Sequence, residues 1–175
     1  MRIAIIGNAG GGKSRLGRAL ANRHDLPLLE LDTLLWKPGW VAAPPAEIAS
    51  EHKEWLAKPA WIIDGVGPWA LAAERLAIAN LVIFVDLPFA THVRWASKRQ
   101  IASVFSARAD GPPGCPMWKM TFRLYQMMWW FHRSLRPEIR SELARPIPHR
   151  QVITVTSVKA LNDVISADRE KLLGL

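Results

Sequence analysis

One stretch near the start of the chain restricts its possible folds more than any other. Residues 7–14 read Gly-Asn-Ala-Gly-Gly-Gly-Lys-Ser and match the pattern G-x-x-x-x-G-K-[ST] at every specified position. Glycines let a loop turn its N–H groups toward a bound phosphate, and a helix N-terminus adds partial positive charge. The stretch therefore predicts a phosphate-binding loop made of Gly7, Asn8, Ala9, Gly10, Gly11, Gly12, Lys13, Ser14 and Arg15.

The residues on either side of this loop fit the strand and helix that such a loop requires. Residues 2–6 form a short apolar run typical of a buried parallel strand, and Leu16, Ala19 and Leu20 follow Lys13 at helical spacing. We expect Lys13 to reach the β- and γ-phosphates of ATP, and the Ser14 hydroxyl to ligate Mg²⁺. The dinucleotide pattern G-x-G-x-x-G does not fit, because no third glycine follows in register.

The composition favours a folded chain in a reducing compartment. Half of the 175 residues are hydrophobic, and the single cysteine, Cys115, excludes an internal disulfide. We find neither a secretory leader pattern nor an apolar run of membrane-spanning length. We therefore expect one domain over residues 1–175, a cytoplasmic location and no membrane partner.

The positive charge of the chain is concentrated in one segment. Residues 92–150 hold eleven of the 23 Lys and Arg residues but only three of the 15 Asp and Glu residues. Such a block is typical of a nucleic-acid-binding face or of a lid that closes over a polyphosphate. The phosphate-binding loop upstream favours the lid.

Two predicted strands end in carboxylates. Residues 26–32 end at Asp32, and residues 61–65 end with Asp64 and Gly65. Open α/β sheets bind ligands at the carboxyl ends of their strands, so both side chains are candidates for chemistry. Asp32 is a candidate to orient or deprotonate a phosphate acceptor, or it only caps the next helix. Asp64 is a candidate to hold a Mg²⁺-bound water, or it is only a turn carboxylate.

Further candidates carry aromatic or basic side chains. Trp36 and Trp40 in the loop 36–40 form either the wall of an acceptor pocket or a plug of the core. Arg94 and Lys98 lie four apart on one face of the predicted helix that starts at residue 89, which suggests a phosphate-bearing partner or a solvated face. Arg75, on a predicted helix over 69–79, has the same two readings of binding residue and solvated charge.

The basic segment also contains the predicted lid. Residues 106–116 are too rich in Pro and Gly for regular structure and are interpreted as a hinge or mobile loop. Residues 117–136 are predicted to form one helix with a wide apolar surface. The polar stripe of this helix consists of Lys119, Arg123, Gln126 and Arg133. It is a lid that closes over the phosphates, a core helix with a basic face, or a membrane-surface helix.

The whole succession resembles the adenylate-kinase-like P-loop kinases, and most narrowly the bacterial DNA topology modulation (FlaR-like) proteins. The resemblance rests on the phosphate-binding loop, on residues 31–40 (Leu-Asp-Thr-Leu-Leu-Trp-Lys-Pro-Gly-Trp), on residues 61–65 and on Gly114-Cys115-Pro116. It implies a three-layer α/β P-loop NTPase fold with a five-stranded parallel sheet in the order 2-3-1-4-5, helices on both faces and a helical lid at about 100–145.

The resemblance also implies roles for several basic residues. Arg94 and Arg99 would flank the nucleotide, and Arg133 or Arg136 would be the lid arginine. The segment after Asp64-Gly65 departs from adenylate kinases because Val66-Gly67-Pro68 replaces their Phe/Tyr-Pro-Arg. Either Arg75 replaces the missing acceptor arginine or the acceptor is not AMP.

The sequence thus predicts an ATP- and Mg²⁺-dependent phosphotransferase similar to nucleoside monophosphate kinases. Its acceptor is a nucleotide or another small molecule. Two alternatives stay open: a nucleic-acid-binding regulator that uses residues 92–150, and a small-metabolite kinase of the shikimate or gluconate type on the same scaffold.

Overall fold

A five-stranded parallel sheet lies at the centre of the structure, a computed structural model that describes residues 1–105 and 112–174. Each strand is a short, largely apolar run, as expected of a sheet buried on both faces. The strands are β1 (Arg2–Gly7), β2 (Leu28–Glu30), β3 (Trp61–Asp64), β4 (Leu81–Val85) and β5 (Gln151–Val155). Their order is β2-β3-β1-β4-β5, which confirms the predicted order.

Helices cover both faces of this sheet. They are α1 (Lys13–His24), α2 (Leu31–Leu35), α3 (Pro45–Ala57), α4 (Trp69–Ile78), α5 (Phe89–Phe105), α6 (Thr121–Trp130), α7 (Arg136–Leu143), α8 (Val158–Ser166) and α9 (Arg169–Gly174). Alternate residues of β1 face opposite layers, so Ile3 and Ile5 pack with α1 and α8, whereas Ala4 and Ile6 pack with α3, α4 and α7. The three-layer α/β prediction is confirmed.

The second strand is shorter than predicted. It ends at Glu30, and Asp32 lies in the first turn of α2 instead of on a strand end. The predicted loop at residues 36–40 contains a short antiparallel hairpin, in which Trp36–Lys37 pairs with Val41–Ala42. Gly39, with a φ of +81°, and Trp40, with a φ of +62°, make the turn.

The predicted helix over 117–136 is wrong as a single regular helix. It consists of a 3₁₀ turn (Met117–Met120), α6, and a wider π-helical turn (Phe131–Leu135) that leads directly into α7. Pro137 lies at the start of α7. Because proline removes a donor and crowds the preceding turn, a local widening there accommodates it.

Part of the predicted hinge lies outside the described residues, namely 106–111. Residues 112–116, which follow, lead into the 3₁₀ turn. Among the helices of the described residues, none combines the length and apolarity needed to cross a membrane.

Candidate active site

The loop between β1 and α1 has the backbone shape of a phosphate cradle. Gly7 has a φ of +147°, and a Cβ added there would lie 2.4 Å from the carbonyl oxygen of Val85. Gly10 has a φ of +69°, and its added Cβ would lie 2.4 Å from the carbonyl oxygen of His92. Only glycine fits both the conformation and the space, so the sequence pattern matches a steric need.

Hydrogen bonds hold this loop from within and from α6. Lys13 donates through Nζ to the carbonyl oxygen of Asn8 at 2.9 Å, and the Ala9 N–H donates to Oδ1 of Asn8 at 2.8 Å. Nδ2 of the buried Asn8 donates to the carbonyl oxygen of Met128 on α6 at 2.9 Å. The loop and α6 are therefore joined directly through Asn8.

His92 supports the loop from α5, and sequence reasoning missed it. Its side chain is buried, and Nδ1 lies 3.0 Å from the carbonyl oxygen of Ala9, to which it donates. Burial is the main reason why the pKa of His92 is lowered to about 4, and the charge of Lys13 adds to it. The imidazole is therefore neutral near pH 7. A lone histidine on a helix carries no sequence signal for such a role.

Asp64 lies beside the loop, and one oxygen of its carboxylate has no hydrogen-bond partner among the described residues. The Ser14 hydroxyl lies close enough to this carboxylate to lower its pKa, while Oδ1 is buried without a partner among the described residues. Burial raises the pKa of Asp64 to about 6; Lys13 and Ser14 lower it, and the charges of Asp32 and Glu30 raise it. A hydroxyl and a carboxylate oxygen side by side are hard-cation ligands of the kind that Mg²⁺ uses.

The loop, Asp32 and Asp64 line one cleft. Its volume is about 730 Å³, and it runs along the carboxyl ends of β1, β2 and β3. Asp32 is exposed, whereas the neighbouring Glu30 accepts hydrogen bonds from Arg18 at 2.6 and 3.0 Å. Three carboxylates from two predicted strand ends thus meet around the phosphate-binding loop.

Trp36 and Trp40 line the same cleft. Their rings meet edge to face with centroids 5.6 Å apart. Nε1 of Trp40 donates to the carbonyl oxygen of Pro116 at 2.9 Å, and the Gly39 N–H donates to that of Gly114 at 2.9 Å. The two distant segments singled out in the sequence, 31–40 and 114–116, therefore contact each other directly.

The arginines with predicted binding roles are placed in different surroundings. Arg99 lines the cleft, whereas Arg94 is exposed on α5 and does not line it. Arg133 also lies outside the cleft lining, with its guanidinium 5.4 Å from the ring centroid of Trp129. Arg123 of α6 lines the cleft, although its position on the basic stripe gave no reason to choose it over Lys119.

The side chains of Arg136 and Arg75 both bind other groups of the protein. Arg136 forms an ion pair with Asp86, which also binds Arg140. Arg75 is fully buried and donates to the carbonyl oxygens of Gly65 and Val66, so the residue does not line the cleft. Neither arginine lines the cleft, because Asp86 holds the guanidinium of Arg136 and the carbonyl oxygens of Gly65 and Val66 hold that of Arg75.

Gly65 lines the cleft, and so does the segment that follows it, through Pro68. One side of the cleft is therefore formed by the loop and Arg99, and the other side by Asp32, the tryptophan hairpin, residues 65–68 and α6.

No protein-family model matches this chain, and no curated protein matches it either. Solved structures do match in fold. Shikimate kinase from Bacteroides thetaiotaomicron has a TM-score of 0.59 at 15% identity, covering 100% of this chain and 99% of its own. Shikimate kinase from Acinetobacter baumannii, in complex with shikimate, has a TM-score of 0.56 at 15% identity, covering 93% and 88%. A sugar kinase from Janibacter has a TM-score of 0.50 at 14% identity, covering 99% and 90%. At such identities the likeness concerns the fold, and by that measure the chain has the α/β fold of P-loop kinases.

Proposed function

We propose that this protein is an ATP-dependent phosphotransferase that moves the γ-phosphoryl group of ATP to a hydroxyl of a small molecule. The observation that supports it most is the shared cleft, which Lys13, Ser14, Asp64 and Asp32 all line. Phosphoryl transfer requires mainly positioning and neutralisation of charge, and this cleft offers groups for both.

The loop residues 7–15 would hold the phosphates of ATP, with Arg99 beside them and Lys13 facing the transferred group. Ser14 and Asp64 would hold Mg²⁺, since the hydroxyl and the unpartnered Oδ1 are a suitable pair of donors. When bound, Mg²⁺ would neutralise charge on the β- and γ-phosphates. Gly65 and the two tryptophans of the hairpin would contact the acceptor.

Asp32 would orient the acceptor hydroxyl and take its proton. The oxygen of that hydroxyl would form a bond to the γ-phosphorus while the bond from phosphorus to the bridging oxygen breaks, so that ADP leaves with the electron pair. Residues of the segment 100–145 would serve as the lid, with Arg123 in place of Arg133 or Arg136 as the arginine nearest to the ligands.

The more specific proposals for the function differ in the class of phosphate acceptor or partner. A small-metabolite kinase fits the solved neighbours, whose names include shikimate and sugar kinases. Membership of the FlaR-like proteins stays a hypothesis carried by the residues of the hairpin and of segment 114–116. A nucleic-acid role is less favoured, because Asp86 binds Arg136 and Arg140, and the side chain of Arg150 is buried against backbone carbonyls.

The test is ATP turnover by purified protein against a panel of hydroxylated metabolites and nucleoside monophosphates, with ADP formation as the readout. Lys13→Ala should reduce turnover at least about a hundredfold, because it removes a preorganised charge at the reacting phosphate. Lys159→Ala, an exposed lysine on α8, is the control. If Lys13→Ala retains full acceptor-dependent turnover, the proposed function is wrong.

Asp32→Asn separates the chemical step from binding. It keeps the shape of the side chain and removes the base, so kcat should fall by about 10² to 10⁴. Binding of a non-hydrolysable ATP analogue should stay the same, because the exposed Asp32 side chain lies outside the phosphate cradle. Equal turnover for wild type and variant would remove Asp32 from the mechanism.

A further inference from the structure

The acceptor side of the cleft is lined mostly by apolar side chains. Its walls come from the tryptophan hairpin, from α2 and α3, and from the lid. The apolar residues that line it include Trp36, Trp40, Ile48, Leu124, Met127 and Trp130. Polyhydroxylated acceptors need hydrogen-bonding side chains around their rings, and these walls offer few.

The lid contributes apolar surface that is open to solvent. Trp130 is 55% exposed and Met127 is 51% exposed, and both line the cleft. Water solvates such surface poorly, so an apolar ligand that covers it gains free energy from the burial. Methionine and tryptophan side chains also suit aromatic ligands, through ring stacking and sulfur–aromatic contacts.

The charges of the acceptor side set a limit on the charge of the acceptor. Among the described residues, Arg123 is the one cation of the lid that lines the cleft, and neither Arg123 nor Asp32 makes an ion pair. Glu30 is already paired with Arg18. On this side of the cleft a phosphate dianion would face Arg123 and the carboxylate of Asp32, whereas a single negative charge is matched by Arg123.

We infer that the acceptor is an aromatic or similarly apolar alcohol that carries one anionic group. Its ring system would lie between the tryptophan hairpin and Trp130, its anionic group against Arg123, and its hydroxyl beside Asp32. This inference rests on the proposed phosphotransfer and names the substrate class for that site. It disfavours nucleoside monophosphates and densely hydroxylated sugars as acceptors.

Binding experiments test this inference without requiring turnover. The probes are a hydroxymethyl-naphthoate, the uncharged naphthalenemethanol, shikimate and AMP, each titrated into the full chain saturated with a non-hydrolysable ATP analogue. The hydroxymethyl-naphthoate should bind at least tenfold more tightly than shikimate or AMP. Tighter binding of shikimate or AMP, or no binding of either naphthalene compound, would overturn the inference.

Matched variants locate the contacts. Trp130→Ala should weaken binding of both naphthalene compounds about tenfold, whereas Phe122→Ala, an exposed aromatic of the same helix that does not line the cleft, should have no effect. Arg123→Ala should reduce the affinity for the hydroxymethyl-naphthoate to that for naphthalenemethanol, and Lys119→Ala should not. Equal effects of each variant and its control would contradict the assigned contacts.

The proposed function fails in a distinguishable way. If the naphthalene compounds bind as expected but no phosphorylated product forms with ATP and Mg²⁺, the phosphotransferase proposal is wrong while the binding preference of the cleft stands. If ATP-dependent phosphorylation occurs only with shikimate, AMP or sugars, the phosphotransferase proposal holds and the acceptor class is wrong.

Discussion

Arg136 holds Asp86 with two hydrogen bonds, from Nε to Oδ1 at 2.6 Å and from Nη2 to Oδ2 at 3.2 Å. Asp86 directly follows β4, next to the strand that ends in the phosphate-binding loop, and its side chain is buried. Arg140, one turn further along α7, donates to the same carboxylate. The start of α7 is thereby anchored to the sheet edge beside the cleft.

This anchor should contribute stability that depends on the charge of Asp86. Burial alone would raise the pKa of Asp86, but the hydrogen bonds and charges of Arg136 and Arg140 outweigh it and lower the pKa below 3.8. Asp86→Asn should therefore cost about 1–3 kcal/mol near neutral pH, toward the lower end because both arginines are partly exposed.

Urea unfolding across pH measures this contribution. The stability that the carboxylate adds is present above the unfolded pKa of 3.8 and is lost as the pH falls through the lower folded value. The difference in the free energy of unfolding between wild type and Asp86→Asn should therefore disappear in strong acid. Asp163→Asn, on an exposed position of α8, is the control. Equal free energies of unfolding for wild type and Asp86→Asn at neutral pH would show that the ion pair contributes nothing to stability.

Asp64 should show the opposite pH dependence. Its folded pKa is raised to about 6, chiefly by burial, from an unfolded value of 3.8. Such a group favours folding at low pH, and its contribution is lost as the pH rises through about 6. In the absence of Mg²⁺, Asp64→Asn should therefore be more stable than wild type above pH 6, by up to about 3 kcal/mol, and should lose this advantage near pH 4.

The measurement is again urea unfolding, in buffer with a chelator, at several pH values. A second readout, the rise in Tm on adding Mg²⁺ and an ATP analogue, should be large for wild type and small for Asp64→Asn. A variant that is less stable than wild type at high pH would show that the buried carboxylate is compensated better than its surroundings indicate.

The loop glycines allow a steric prediction with an internal control. Gly10 and Gly39 both have positive φ, but a Cβ at Gly10 would lie 2.4 Å from the carbonyl oxygen of His92, whereas a Cβ at Gly39 meets nothing within 4 Å. Gly10→Ala combines backbone strain with a clash and should cost clearly more than the strain of about 1 kcal/mol expected for Gly39→Ala.

Calorimetric titration with an ATP analogue, together with thermal unfolding, distinguishes the two variants. Gly10→Ala should weaken nucleotide binding at least about tenfold because His92 and the loop must move apart. Gly39→Ala should bind the nucleotide as wild type does. If both variants bind equally well, the close packing of His92 under the loop is not needed for binding.

The sequence predicted those parts of the protein whose physics is local. The strand order was implied by the resemblance to the adenylate-kinase-like P-loop kinases. A loop that fits between a strand and a helix requires glycines at fixed spacing, and buried strands require apolar runs, so the loop and the strands were predictable. The partners of the arginines were not. Asp86 and Arg136 are 50 residues apart, and Asn8 and Met128 are 120 apart. Such pairs follow from how α6 and α7 pack, which no short-range pattern encodes.

The packing of the helices also explains why Arg123 lines the cleft and Arg133 does not. On the predicted helix 117–136, all members of the basic stripe are equivalent, but the π-helical turn at residues 131–135 changes the register between its two ends. Arg123 then lines the cleft, while Arg133 is placed over Trp129. Such a local change of helix type depends on Pro137 and on tertiary packing. Helical periodicity in the sequence therefore could not predict which arginine lines the cleft.

Arg75 offers a test of how the core shapes the cleft. Its guanidinium is fully buried and donates to the carbonyl oxygens of Gly65 and Val66, which belong to the cleft-lining segment 65–68. Two of its nitrogens, Nε and Nη1, have no partner among the described residues, and burial lowers the pKa of Arg75 to about 10. The charge is therefore costly to bury, yet two carbonyls depend on it.

Arg75→Met removes the donor and fills most of the space. We expect a loss of about 1–3 kcal/mol in unfolding free energy, because two backbone carbonyls lose their partner while an expensive buried charge disappears. Arg75→Lys should recover part of the loss, since an ammonium can donate to at least one carbonyl. Lys53→Met, at an exposed position of α3, controls for the loss of a positive charge.

A positioning role for Arg75 predicts an effect on acceptor binding in addition to the effect on stability. If Arg75 holds segment 65–68 in place, Arg75→Met should weaken acceptor binding at least about fivefold at a temperature where the variant is fully folded, and it should leave binding of the ATP analogue unchanged. Arg75→Lys should lie between the two. Equal loss of acceptor and nucleotide binding would instead indicate that the whole sheet edge has loosened, because the hydrogen bonds of Arg75 among the described residues go to Gly65 and Val66 and not to the phosphate-binding loop.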